Sequence, residues 1–238
     1  MLGIRKALST FLEPAEPGYV QPTMERDQAT HASGHPPLDP DLVTRLKELC
    51  HEGWEIWSRF DARVRRESFH PFVAAEYEDV LPALISVRAP GRRFLEWGSA
   101  TGVITIMADL LGFEAYGIEL DADLVGEARG LADAWGSGAR FAAGSLLPTG
   151  YRFRGKRGGE HLGTIGEGTS GYLELGHPLE DFDVVYGFPW SGEEAMMLDL
   201  MRCYGRSDAL LLLNTGDHGM TMYRGGRSMV QKRQGESL

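Results

Sequence analysis

From residue 93 onward the chain alternates short apolar runs with helix-periodic segments. No other feature constrains the fold as much. The predicted strands are 93–97, 114–119, 139–143, 183–186 and 209–213, and helical patterns cover 101–111, 121–134 and 191–204. A strand, a helix and a second strand joined by such short loops leave the two strands parallel, with the helix on a sheet face. The runs at 183–186 and 209–213 are largely apolar, as strands covered on both sides must be. The expected class is therefore α/β, a doubly wound and mostly parallel sheet.

Two helices precede the first strand. Leu42, Leu46, Leu49, Cys50, Trp54, Trp57 and Phe60 recur mostly every three or four residues, which predicts a helix from about residue 41. Trp54, Trp57 and Phe60 are read as core. Val73, Tyr77, Val80, Leu81, Leu84 and Ile85 predict a second helix over 72–86, kinked at Pro82. Residues 41–90 are thus a helical cover for the sheet. Upstream, 2–12 has an amphipathic pattern. Pro14, Pro17, Pro22, Pro36, Pro37 and Pro40 then make 1–40 read as a flexible N-terminal arm. His31 and His35 lie in that arm with no carboxylate or cysteine pattern around them, and are read as solvated. The expected plan is this arm followed by one domain, 41–238. After residue 213, 220–224 and 228–232 predict a reduced C-terminal hairpin with Gly225-Gly226 in its turn.

Glycine is abundant, 31 of 238 residues, and many of these fall in one insert, 149–178. A connection that long is uncommon in a compact domain. Gly171 to Leu175 looks strand-like within it. Arg152, Arg154, Lys156 and Arg157 place four positive charges close together there, which reads as a solvated loop or as a surface that touches RNA. The chain as a whole carries a net charge of −10, which disfavours bulk nucleic-acid binding. Cys50 and Cys203 sit in helical patterns and read as two buried, reduced thiols. No apolar run reaches the roughly 18 residues a membrane helix needs. The expectation is a cytoplasmic protein without a membrane partner.

The chemistry concentrates in Phe94-Leu95-Glu96-Trp97-Gly98-Ser99-Ala100-Thr101-Gly102, followed by Gly117-Ile118-Glu119-Leu120-Asp121 at the tip of the next strand. Gly98 and Gly102 remove side chains so that a ligand can lie on bare backbone. A helix starting near Thr101 offers N–H groups to an anion. Glu119, at a strand tip, can accept both hydroxyl protons of a ribose. The dinucleotide fingerprint wants glycine where this chain has Gly98, Ala100 and Val103, and only the first matches. Glu96 inside the strand end suits an ammonium group, which a pyrophosphate ligand lacks.

In Glu96-x-Gly98-x-Ala100-x-Gly102 and Glu119, over roughly residues 93–214, the chain resembles the class I S-adenosylmethionine-dependent methyltransferases. The resemblance implies a Rossmann-like sheet and S-adenosyl-L-methionine as cofactor. It implies that Glu96 and the loop of Gly98, Ser99, Ala100 and Gly102 face the methionine part, that Glu119 binds the ribose and that Leu120 flanks the adenine. Ser145 stands where the family usually has an acidic residue for the adenine amino group. Tyr186, Phe188, Pro189 and Trp190 fall where the family faces its acceptor. Trp190 either stacks on a planar substrate or plugs a helix–strand junction.

Ser191 and Glu194 read as a capping box, and Glu193 and Glu194 as structural. His70, Asp217 and His218 are possible bases, but none is backed, so the catalytic group is unassigned. No metal site is expected. The acceptor is unidentified, a small molecule or, on the basic cluster alone, RNA. Two other readings stand beside methyl transfer: an NAD(P)-dependent oxidoreductase, and a non-catalytic module that only binds S-adenosylmethionine.

Overall fold

Side chains of β1 (Arg93–Trp97) alternate between two buried clusters, with Phe94 on one face of the sheet and Leu95 and Trp97 on the other. This is the period-two signature of a strand covered on both sides. The structure, a computed structural model, describes residues 36–64, 74–152, 168–190, 192–215 and 219–229. Nearly all of the arm, the basic residues Arg154, Lys156 and Arg157, Ser191 and the possible bases His70, Asp217 and His218 lie outside them.

β1 is joined by β2 (Glu114–Glu119), β3 (Arg140–Ala143), β4 (Val184–Gly187), β5 (Leu210–Thr215), β6 (Gly219–Arg224) and β7 (Arg227–Ser228). They form one sheet ordered β3-β2-β1-β4-β5-β6-β7. β1 to β5 are parallel, and β6 and β7 are antiparallel. The Rossmann-like reading of the sheet holds, as does the small C-terminal hairpin turning on Gly225 and Gly226. Its second strand has two described residues, fewer than expected.

One face carries α1 (Pro40–Val64), α2 (Tyr77–Val87), α3 (Val103–Leu110) and α4 (Ala122–Trp135). The other carries α5 (Tyr172–Leu175) and α6 (Glu194–Tyr204). α1 is tied to α4 by Trp135 Nε1–H donating to Glu52 Oε2 at 2.8 Å. Gly53 lets α1 cross closely: a Cβ there would lie 2.9 Å from the Tyr77 ring and from Val103. Of the aromatic cluster on α1, Phe60 is buried and Trp54 is half-buried against Tyr77, ring centroids 5.2 Å apart. Among the described residues no helix is long and apolar enough to cross a membrane.

Asp121 caps α4 as expected, its Oδ1 accepting from Asp123 N and Leu124 N at 2.8 and 3.3 Å. Asp121→Ala should lower stability by about 1 kcal/mol, read by thermal or urea denaturation.

Four expectations need correction. Residues 74–76 are not helical, and α2 begins at Tyr77 rather than near 72. Residues 172–175 form a helical turn, not a strand. Leu175 N donates to Gly171 O, and a Cβ on Gly171 would meet Ile118 at 2.7 Å, so the chain turns up against the sheet there. Among the described residues of the insert, Ser170 alone makes a strand-like bridge, to Ser145. α6 starts at Glu194 with Glu193 as N-cap, so Glu194 is not the far half of a capping box. Glu193 is buried with its carboxylate on Trp190 N, and Glu194 accepts from the Tyr223 hydroxyl at 2.6 Å. Finally, both cysteines are free, but Cys203 is exposed and only Cys50 is buried, its thiol pushed up to about 12 chiefly by burial.

Candidate functional site

Strand order reverses between β1 and β4, and open α/β sheets bind ligands at the carboxyl ends of strands at such a point. An open cleft lies here. It is lined by the loop Gly98 to Thr101, by Glu96 and Tyr186, by Ala74, Ala75 and Tyr77, and by Val103, Ile104 and Phe188. Glu96 and Tyr186 are register partners on β1 and β4.

Glu96 is buried, 4% exposed. Its Oε2 accepts from Thr105 N at 2.9 Å and from Thr105 Oγ1 at 2.5 Å. Thr105 is the third residue of α3, whose N-cap Gly102 has no side chain to offer, so Glu96 caps the helix from nine residues upstream. Among the described residues no cation pairs with it. Burial pushes its carboxyl up to about 8, against the pull of the Thr105 bonds and helped by the nearby Glu119. Burial therefore favours the neutral acid in the free protein, and both Thr105 donors fall on Oε2, which leaves Oε1 unused.

Glu119 is half-buried and on the other side of the loop, and it does not line the cleft. Its Oε2 accepts from Ala100 N at 2.9 Å and its Oε1 from Asp121 N at 3.0 Å. It is also pushed upward, by burial against the opposing effect of these amides. Ala100 has φ +45°, a left-handed conformation that non-glycine residues seldom adopt. The Glu119 carboxylate thus holds the loop in a strained shape.

The loop amides are partly spent inside the protein. Gly98 N and Ser99 N both donate to Ile118 O, at 2.9 and 3.0 Å. Gly102 is bare for a protein contact, not for a ligand: a Cβ there would lie 2.6 Å from the Phe141 ring. It is also absent from the cleft lining.

Leu120 is half-buried at the β2 tip. Ser145 is buried, its Oγ accepting from Leu147 N at 3.1 Å. Phe188 lines the cleft, whereas Pro189 and Trp190 are half-buried beyond it. Trp190 is held in a turn by Glu193, which favours the junction role over stacking. The sequence reading missed Thr105 and Tyr77. Thr105 left a signal, a lone polar residue in an otherwise apolar turn of helix. Tyr77 left none beyond its place in an apolar stripe.

No family model matches the sequence, and no curated protein matches it. Solved structures do show likeness. An RNA methyltransferase from Salinibacter ruber in complex with S-adenosyl-L-homocysteine is 15% identical over 60% of this chain and 78% of its own, with a TM-score of 0.43. A precorrin-6Y C5,15-methyltransferase from Geobacter metallireducens is 14% identical over 62% of this chain and 65% of its own, with a TM-score of 0.42. A geranyl diphosphate methyltransferase in complex with GPP and sinefungin is 14% identical over 58% of this chain and 43% of its own, with a TM-score of 0.40. At these values the likeness decides nothing about function; the sheet order and cleft stand on this chain's own geometry.

The donor set still discriminates between ligand chemistries. A buried acid with no cation among the described residues, already sitting on the first turn of α3, gains a counter-charge from an amine and none from a pyrophosphate. The residues present fit an amino-acid-bearing nucleoside better than a dinucleotide.

Proposed function

We propose that the protein is an S-adenosylmethionine-dependent methyltransferase. One observation carries the reading: Glu96 lies buried at the strand-order reversal, and among the described residues one of its oxygens is unpaired and no cation lies beside it. S-Adenosylmethionine supplies a methyl group already activated on a sulfonium. What remains for this chain is to bind, orient and exclude water. Glu96 receives the ammonium. Gly98, Ser99 and Ala100 form the wall along the methionine part. Glu119 keeps a second lone pair on each oxygen for the ribose hydroxyls. Leu120 covers the adenine, and Ser145 offers its hydroxyl at the adenine edge. Gly102 acts indirectly, by letting α3 seat close to β3. Phe188 bounds the methyl side, with Pro189 and Trp190 further out, while Tyr186 lies beside Glu96 on β4. The acceptor enters over Phe188 and the Ala74–Ala75 rim. It is a small molecule or an RNA; Arg152 is exposed at the insert that would serve the second. A cytoplasmic location belongs to the same reading.

The test is calorimetric titration of the full chain with S-adenosylmethionine and S-adenosylhomocysteine. Saturable binding of both, each displacing the other, is expected. No heat from either up to millimolar concentration ends the reading, and NADH fluorescence enhancement would replace it with the dinucleotide one.

A further inference from the structure

Three oxygens around one end of the cleft have no hydrogen-bond partner among the described residues: Glu96 Oε1, the Tyr77 hydroxyl and the Tyr186 hydroxyl. Tyr186 is the most telling. It is 1% exposed, and its hydroxyl is fully buried and unpaired. The Asn214 amide on β5 is near enough to favour the phenolate slightly but makes no formed bond. Phenylalanine would fill the same space without stranding a polar atom, and stranded buried hydroxyls are disfavoured. The hydroxyl therefore has a use that the free protein does not display.

Its surroundings say which part of a ligand it meets. Glu96 and Tyr186 are register partners on β1 and β4, and Tyr77 lines the same cleft with them. The three groups therefore share one end of the cleft. The ribose side of the loop, at Glu119, lies elsewhere. A phenol both donates to a carboxylate and accepts from an ammonium, so two phenols and one acid together match an α-amino acid.

We infer that Tyr186, assisted by Tyr77, is a specificity-determining residue that receives the amino-acid head of the bound nucleoside beside Glu96. This rests on reading the cleft as a site for S-adenosylmethionine. It adds a strand β4 hydroxyl and an α2 hydroxyl to the binding set.

The experiment compares wild type, Tyr186→Phe and Tyr77→Phe by calorimetry with two probes. S-Adenosylhomocysteine carries the amino-acid head; 5′-methylthioadenosine has the same nucleoside and sulfur without it. Tyr186→Phe should weaken S-adenosylhomocysteine about tenfold and Tyr77→Phe several-fold, with 5′-methylthioadenosine changed less than twofold. The ligand-free melting temperature of Tyr186→Phe should stay level or rise, because an unpaired buried hydroxyl has gone. Equal loss for both probes overturns the inference. So does unchanged affinity for S-adenosylhomocysteine in Tyr186→Phe, or a large fall in its ligand-free melting temperature. Wild type that binds neither probe takes down the methyltransferase reading as well, an outcome distinct from the other three.

Discussion

Glu96→Gln should weaken binding of a nucleoside bearing an ammonium roughly a hundredfold and at the same time flatten the pH dependence of stability. Gln copies the neutral acid: its carbonyl oxygen takes the two Thr105 donors, and its amide faces the cleft. It cannot become an anion, so the ion pair is lost. The groups that face Glu96 are Thr105 from α3, Tyr77 from α2, Tyr186 from β4 and Glu119 from β2, with no cation among the described residues. A ligand that brings an ammonium favours ionisation. With the acid at about 8, ligand binding at pH 7 expels nearly one proton. Calorimetry in buffers of different ionisation enthalpy reads that proton in wild type and none in Glu96→Gln.

The stability effect has a definite sign. The carboxyl rises from its ordinary 4.5 to about 8 on folding, so the folded state holds the proton more tightly than the unfolded chain does. The resulting stabilisation is complete below about pH 4.5. It falls as pH rises and is gone above about 8, a change on the order of 5 kcal/mol. Glu119, raised for the same reason, works in the same direction. Urea denaturation from pH 5 to pH 9 should show wild type losing stability relative to Glu96→Gln. Parallel profiles would mean that Glu96 is already ionised in the free protein.

Gly102→Ala should cost about 2–5 kcal/mol. The left-handed backbone, φ +79°, contributes about 1–2 kcal/mol of that. The rest is overlap, because the new Cβ would sit 2.6 Å from Phe141 Cζ and 3.0 Å from Ala128 Cβ, and overpacking a rigid contact costs roughly 1–3 kcal/mol. Gly136 provides the control: its φ is +60°, but nothing lies within 4 Å of the added carbon. Gly136→Ala should cost only about 1–2 kcal/mol. Combining Gly102→Ala with Phe141→Leu should recover the overlap but not the backbone strain. A double-mutant cycle with no coupling between positions 102 and 141 contradicts this account.

Much of the fold was legible in residue order because its determinants are local. β1 and β2 begin and end at the residues that period and turn chemistry predict, and Asp121 caps α4 where its short side chain reaches two free amides. The helical turn at 172–175 was not legible. Gly171 and Leu175 have strand-like spacing, and only the press of Ile118 against Gly171 turns the chain. The exposure of Cys203 was hidden too, since helical periodicity marks a face but not what covers it.

The site divides in the same way. Sequence alone determined that two acids end adjacent strands around a loop of small residues, because strand length and turn composition are written in consecutive residues. Tertiary structure alone decided what each one touches. Thr105 bonds Glu96 while Tyr77 and Tyr186 line the same cleft, from three separate elements, and Gly102 is bare for the sake of a ring 39 positions away. Contacts between distant segments depend on how helices seat on the sheet, and no local pattern encodes that seating.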